Sequence, residues 1–229
     1  MTIVSDNSGR APWPNDATRR MNRMYRWQRF IYDATRRYYL LGRDELIAEL
    51  APAAGAHVLE IGCGTGRNLV HAARRYPAAL FYGIDISTEM LTTATSSIAR
   101  QRLTGRVRVA HGDATGFDPA RLFGVAGFDR IMISYSLSMI PEWQAVLDHA
   151  VTRLAPGGRL HIVDFGNQER LPAAARGALL RWLALFDVTP RRHLQDALNN
   201  VARRVGGELT FARPFRGYAQ SAMLQLPKR

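Results

Sequence analysis

From about residue 57 onward, short apolar runs alternate with stretches whose apolar residues recur every three or four positions. HVLEIG precedes RNLVHAARRY, and ALFYGIDI precedes TEMLTTATSSIARQ. RVRVAHGD leads into a polar stretch read as a loop, FDRIMISYS precedes EWQAVLDHAVTRL, and GRLHIVDF precedes a helical region containing PAAARGALLRWLALF. Runs apolar at successive positions suit strands covered on both faces, and the helical segments between them supply the cover. The pattern predicts an α/β fold with a doubly wound, mostly parallel sheet. After HLQDALNNVARRVGG, two alternating runs, GELTFARPF and YAQSAMLQL, are joined by a short Arg-Gly link. They read as a hairpin, one of whose strands lies antiparallel in the sheet.

The first part of the chain follows a different pattern. Residues 1–16 are polar with two prolines and a glycine, and are expected to be disordered or loosely draped. Residues 17–51 read as a helical lid. Met24, Trp27, Ile31, Ala34 and Tyr38 fall at helical spacing, and a second short helix, RDELIAEL, follows Gly42 and stops before Pro52. Residues 52–229 then form the main domain.

Composition narrows the chemistry. The 229 residues suffice for one sizeable core. The single Cys63 excludes an internal disulfide framework and any iron–sulfur cluster held by cysteines of one chain, and with it radical chemistry on such a cluster. No apolar run reaches the roughly 18 residues of a membrane-spanning helix, and the start lacks the apolar stretch of a secretory signal, so a cytoplasmic protein is expected. The net charge of +12, carried by arginine with Lys228 the one lysine, implies a polyanionic partner: nucleic acid, an anionic membrane surface or an acidic substrate.

VLEIGCGTGRN, Val58 to Asn68, is a strand ending in an acidic residue and a glycine turn that opens a helix. Such a turn lets a ligand approach the backbone, with free N–H donors at the helix start beyond it. The dinucleotide fingerprint fails in both registers, because its third glycine position holds Arg67 or Leu69, and no Gly-Lys-Ser/Thr follows for a P-loop. What fits is E-x-G-x-G-x-G over Glu60, Gly62, Gly64 and Gly66. On this motif the chain resembles the class I S-adenosylmethionine-dependent methyltransferases, which implies a seven-stranded Rossmann-like sheet and S-adenosylmethionine as cofactor, with no metal. The resemblance implies that the glycines pack under the methionyl part while Glu60 binds near its amino group. Cys63, Asn68, Ile86, Met90, Ala114 and Ser134 are implied as further cofactor contacts. Asp85 ends the second strand 19 residues after Gly66, where a carboxylate can accept both ribose hydroxyl protons; Ser87 and Glu89 are available to cap the helix in its stead. Asp113, after the third strand, is implied at the adenine.

The fourth strand ends in ISYSLSMIP, the reacting face in this family. The Asn-Pro-Pro-Tyr-type segment of enzymes acting on base amines is absent there, which disfavours nucleic acid. Tyr135 is the catalytic candidate, either orienting an amine through its hydroxyl or holding a developing ammonium against its ring. In-line methyl transfer needs alignment and desolvation more than a strong base, and His111 and His161 read as structural.

YRWQRFIYDATRRYYLLGRD, Tyr25 to Asp44, combines Arg26, Arg29, Arg36 and Arg37 with Trp27 and Phe30. Rings within a basic arc suit lipid headgroups. In its wording this stretch is similar to the diacylglyceryl-homoserine N-methyltransferases of bacterial betaine-lipid synthesis. That implies a lipid substrate trimethylated at its amine, peripheral association with an anionic membrane, and an enzyme supplying the homoserine lipid as a partner. It also makes Tyr32 and Arg43 candidates for closing the site and pairing with the cofactor carboxylate. Alternatives are a phosphatidylethanolamine N-methyltransferase, a nucleic-acid methyltransferase and a binding scaffold without turnover.

Overall fold

The structure, a computed structural model, describes residues 40–228. The expected disordered start and long N-terminal helix lie outside the described residues. Within them, α1 (Arg43–Glu49) leads into β1 (His57–Ile61), α2 (Arg67–Arg75), β2 (Leu80–Asp85), α3 (Thr88–Arg100) and β3 (Val107–His111). Then come α4 (Pro119–Phe123), β4 (Phe128–Ser134), a 3-10 turn (Leu137–Met139), α5 (Trp143–Thr152) and β5 (Leu154–Phe165). The chain closes with α6 (Ala173–Ala184), α7 (Leu194–Val205), β6 (Glu208–Ala212) and β7 (Ala219–Gln225).

The seven strands are ordered β3-β2-β1-β4-β5-β7-β6. β1 to β5 pair in parallel, whereas β7 runs antiparallel to both β5 and β6, as the alternating terminal runs predict. The order reverses beside β1, and ligands of open α/β sheets bind at such a switch point, outside the carboxyl ends of the strands. One face of the sheet is covered through Phe117, Leu147 and Leu198, the other through Ile47, Leu69, Leu91 and Leu183. Burial on both sides is why β1 and β2 read as unbroken apolar runs.

Two elements differ from expectation. The stretch after β3 contains a short helix, α4, capped by the Asp118 carboxylate accepting from Ala120 N at 3.0 Å and ended by left-handed Gly124. At five residues it is too short for periodicity to reveal. β5 begins at Leu154, ahead of the GRLHIVDF run read as the strand, because Leu154 pairs with Phe128 ahead of a bulge in β4. α1 packs on the same core as the sheet through buried Leu46 and Ile47, and the Arg130 guanidinium donates to the Leu50 carbonyl just past its end. No helix among the described residues is long and apolar enough to cross a membrane.

Candidate active site

The glycine loop folds as it does because its residues occupy the left-handed region, at φ 72° for Gly62, 52° for Gly64 and 75° for Gly66. Gly62 N and Cys63 N donate to the Ile84 carbonyl at 2.9 and 3.0 Å, which seats the turn on the end of β2. A Cβ at Gly62 would lie 2.6 Å from Ser136 Cβ, so the loop and the segment after β4 touch only because this residue is glycine. Gly66 is placed differently from Gly62 and Gly64. It does not line the cavity; it opens α2, and a Cβ there would meet Ala94 of α3 at 3.1 Å, which makes it a helix-packing glycine.

A cavity of about 500 Å³ lies over this loop. Around it stand the implied cofactor residues Arg43, Glu60, Gly62, Cys63, Gly64, Asn68, Asp85, Ile86, Met90, Asp113, Ala114 and Ser134. Glu60 is buried and accepts from Asn68 Nδ2 at 2.8 Å, so Asn68 orients the acid rather than standing beside it by accident of sequence. Asp85 accepts from Gly64 N at 2.8 Å and from Ser87 N at 2.9 Å, joining the glycine loop to the start of α3. Ser87 caps α3 by accepting from Met90 N at 3.3 Å, so the helix has its side-chain cap without drawing on Asp85. Asp113 accepts from the Thr115 amide and hydroxyl at 2.7 and 2.8 Å. Burial, with the carboxylates of Asp85 and Glu60, pushes the Cys63 thiol well up, so it packs as a neutral group.

Tyr135 borders the cavity, but its hydroxyl is used differently from the expectation. It donates to the Leu41 carbonyl at 2.6 Å, tying the segment after β4 to the entry of α1. Burial, then the Asp164 carboxylate, raises its pKa further, so the phenol stays protonated. The side chain is held by a left-handed backbone at φ 55° and an edge-on contact with Phe165 at 4.7 Å. Neither His111 nor His161 lines the cavity. Tyr32, Trp27, Phe30, Arg26, Arg29, Arg36 and Arg37 lie outside the described residues.

Sequence reasoning missed part of the lining. Leu40, Arg67, Met139, Ile140, Pro141 and Glu142 border the cavity too. The signal was present in SLSMIPEW, directly after the strand read as the reacting face, but a 3-10 turn has no periodicity to announce which side chains point inward. Among the described residues no group of three His, Cys, Asp or Glu could hold a metal ion.

Carboxylates ending β1 and β2 and following β3, gathered over one glycine turn, suit a ligand that is cationic at sulfur and at its amino group and carries a vicinal diol. Fold and donor set match those of class I S-adenosylmethionine-dependent methyltransferase domains. Residues 58–158 match the family model described as "Methyltransferase domain". The chain is 32% identical over 162 residues to "O-methyltransferase cnsE" of Penicillium expansum, covering 71% of this chain and 55% of that protein. It is 33% identical over 153 residues to "Demethylmenaquinone methyltransferase" of Clavibacter sepedonicus, covering 64% and 58%. Its fold superposes with a TM-score of 0.62 on Haemonchus contortus phosphoethanolamine N-methyltransferase 2 in complex with S-adenosyl-L-methionine, at 16% identity over 82% of this chain and 52% of that one. The chain thus spans little more than half the length of these curated relatives.

Proposed function

We propose that the protein methylates the amine of a zwitterionic lipid headgroup, diacylglyceryl-homoserine in first place and phosphatidylethanolamine as the alternative. The observation that carries this is the lining beyond the cofactor residues: apolar Leu40, Met139, Ile140 and Pro141 together with one cation, Arg67, and one anion, Glu142. Opposite charges beside an apolar wall complement an amphiphile bearing an amine, an acid group and acyl chains. Arg67 is about half exposed, as suits a rim that meets a headgroup.

S-adenosylmethionine supplies an electrophilic methyl group on sulfonium sulfur. Glu60, Asp85 and Asp113 hold the cofactor, and Arg43, buried and donating to the Leu40 carbonyl at 3.1 Å, is assigned to its carboxylate. Glu142 receives the incoming headgroup ammonium, which gives up its proton to water before the lone pair is aligned in line with the transferred methyl. The apolar wall, with Leu40 buried and Met139 and Ile140 half-buried, keeps much of the solvent from that line. Trp27 and Phe30, with Arg26, Arg29, Arg36 and Arg37, face an anionic membrane at which the protein is peripherally bound, Tyr32 helps close the site, and an enzyme making the homoserine lipid supplies the substrate.

A second reading, transfer to a hydroxyl or ring carbon of an apolar small molecule, is favoured by the names of the curated relatives. The test is to express the gene in a host lacking betaine lipids, with and without a source of diacylglyceryl-homoserine, and to examine the lipids by mass spectrometry. Mono-, di- and trimethylated homoserine lipid is the expected result. Methylated ethanolamine lipid would select the alternative, and a methylated quinone or phenol with unchanged polar lipids would overturn the proposal.

A further inference from the structure

The segment after β4, which supplies Met139, Ile140, Pro141 and Glu142 to the cavity, is held from behind by residues that do not border it. Arg191 lies between α6 and α7, more than fifty positions along the chain from this segment. Its Nε donates to the Leu137 carbonyl at 2.9 Å, and its Nη2 to the Ile140 carbonyl at 2.7 Å and the Ser138 carbonyl at 3.4 Å. Next to it in the chain's course, Thr189 N donates to the Ser138 carbonyl at 2.9 Å.

From the sheet side, fully buried Asp164 near the end of β5 accepts from Ser138 N at 3.0 Å and from Phe165 N at 2.7 Å. Buried Gln220 of β7 closes the arrangement by donating to the carbonyls of Phe165 and Arg191 at 3.0 and 3.1 Å. A tight turn exposes several backbone groups that regular structure would pair, and here one guanidinium and one carboxylate take them from opposite sides. A planar fork spanning three carbonyls fixes both the position and the tilt of the turn, which a single hydrogen bond does not.

We propose that Arg191 and Asp164 are positioning residues for the acceptor, setting the wall formed by Met139, Ile140 and Pro141 while leaving the cofactor half of the site independent. This rests on the reading that the cavity takes the methyl acceptor beside that wall. The cofactor half is braced separately, through Asp85, Asn68 and the Ile84 carbonyl. Loss of the clamp therefore separates acceptor handling from cofactor binding.

The test uses the full chain with Arg191→Ala, the milder Arg191→Gln, Arg191→Lys and Asp164→Asn. Amide hydrogen exchange followed by mass spectrometry reads the segment 137–142 and the loop 62–66, and calorimetry with S-adenosylhomocysteine reads the cofactor site. Arg191→Ala is expected to accelerate exchange in the segment about tenfold or more, the factor that goes with losing a charge-assisted hydrogen bond. The loop and the S-adenosylhomocysteine affinity are expected to change far less than the segment, because the loop meets the segment at Ser136, whose contacts with Gly62 and the Ile61 carbonyl do not involve Arg191. Arg191→Lys recovers only part of the protection, because one ammonium cannot reproduce the fork. With diacylglyceryl-homoserine vesicles as acceptor, KM rises more than kcat falls. If the wild type does not methylate that lipid, the lipid reading fails, and exchange still decides the clamp. Unchanged exchange in the segment, or an equal loss of S-adenosylhomocysteine affinity in Arg191→Gln, would overturn the proposal.

Discussion

Replacing His161 with methionine isolates a buried charge that the fold keeps switched off. His161 sits in β5 between Met132 of β4 and Met223 of β7, 2% exposed, and neither ring nitrogen has a hydrogen-bond partner among the described residues. Burial, then the positive charges of Arg130 and Arg159, push its pKa down to about 4. Between about 4 and the ordinary 6.5 the unfolded chain therefore holds more protons, and this group's contribution to stability falls as pH falls through that window. Going from about pH 7.5 to about pH 5, the loss comes to about 2 kcal/mol. Asp164 works in the opposite sense. Its burial raises it to about 6, against hydrogen bonds from Ser138 and the Phe165 amide, so the native state holds the extra proton and stability falls as pH rises from 3.8 through 6. Over the same acid step it returns about 1.4 kcal/mol, so the two nearly cancel in the wild type. His161→Met leaves the Asp164 contribution uncovered. Urea unfolding at both pH values, at constant ionic strength, is expected to show the mutant gaining about 2 kcal/mol relative to wild type at the lower pH, beyond any packing difference seen at the higher one. A wild-type-to-mutant difference that is the same at both pH values would refute a neutral, buried His161.

Other outcomes follow from the site. Asp85→Ala removes the acceptor for Gly64 N and the proposed ribose partner, and should weaken S-adenosylmethionine binding by about tenfold to a hundredfold by calorimetry. Tyr135→Phe is expected to cost about 1 kcal/mol by thermal or urea unfolding and to leave cofactor affinity nearly unchanged, since its hydroxyl serves the Leu41 carbonyl. Gly62→Ala meets both a left-handed backbone and a 2.6 Å clash with Ser136, and should abolish cofactor binding or lower the melting temperature by several degrees. Converting Arg26, Arg29, Arg36 and Arg37 to Gln should reduce sedimentation with phosphatidylglycerol vesicles at low salt, while leaving calorimetric binding of S-adenosylhomocysteine intact.

Much of the fold and half of the site can be read along the chain, for local reasons. Strands buried on both faces must be apolar at every position, and E-x-G-x-G-x-G announces a backbone that only glycine adopts without strain. The acids Glu60, Asp85 and Asp113 are legible because the ends of β1, β2 and β3 converge at the switch point whatever the surrounding sequence. α4 escaped because a helix of five residues barely completes one turn, and the motif does not tell a glycine facing only a ligand from one that, like Gly66, packs against a neighbouring helix.

Local patterns along the chain specify the sheet, the cofactor loop and the acids around it, since each depends on periodicity or on contacts between residues close in the chain. Long-range packing sets what Tyr135 bonds, which side chains wall the cavity, and that Arg191, Asp164 and Gln220 support that wall. Those contacts join positions separated by 26 to 94 residues, so they depend on strand register and on how β5, β7 and the segment between α6 and α7 come together. A hydrogen bond of that kind leaves no spacing in the sequence to find. It is set by the three-dimensional meeting of a donor and a carbonyl, each of which would be unremarkable in its own stretch of chain.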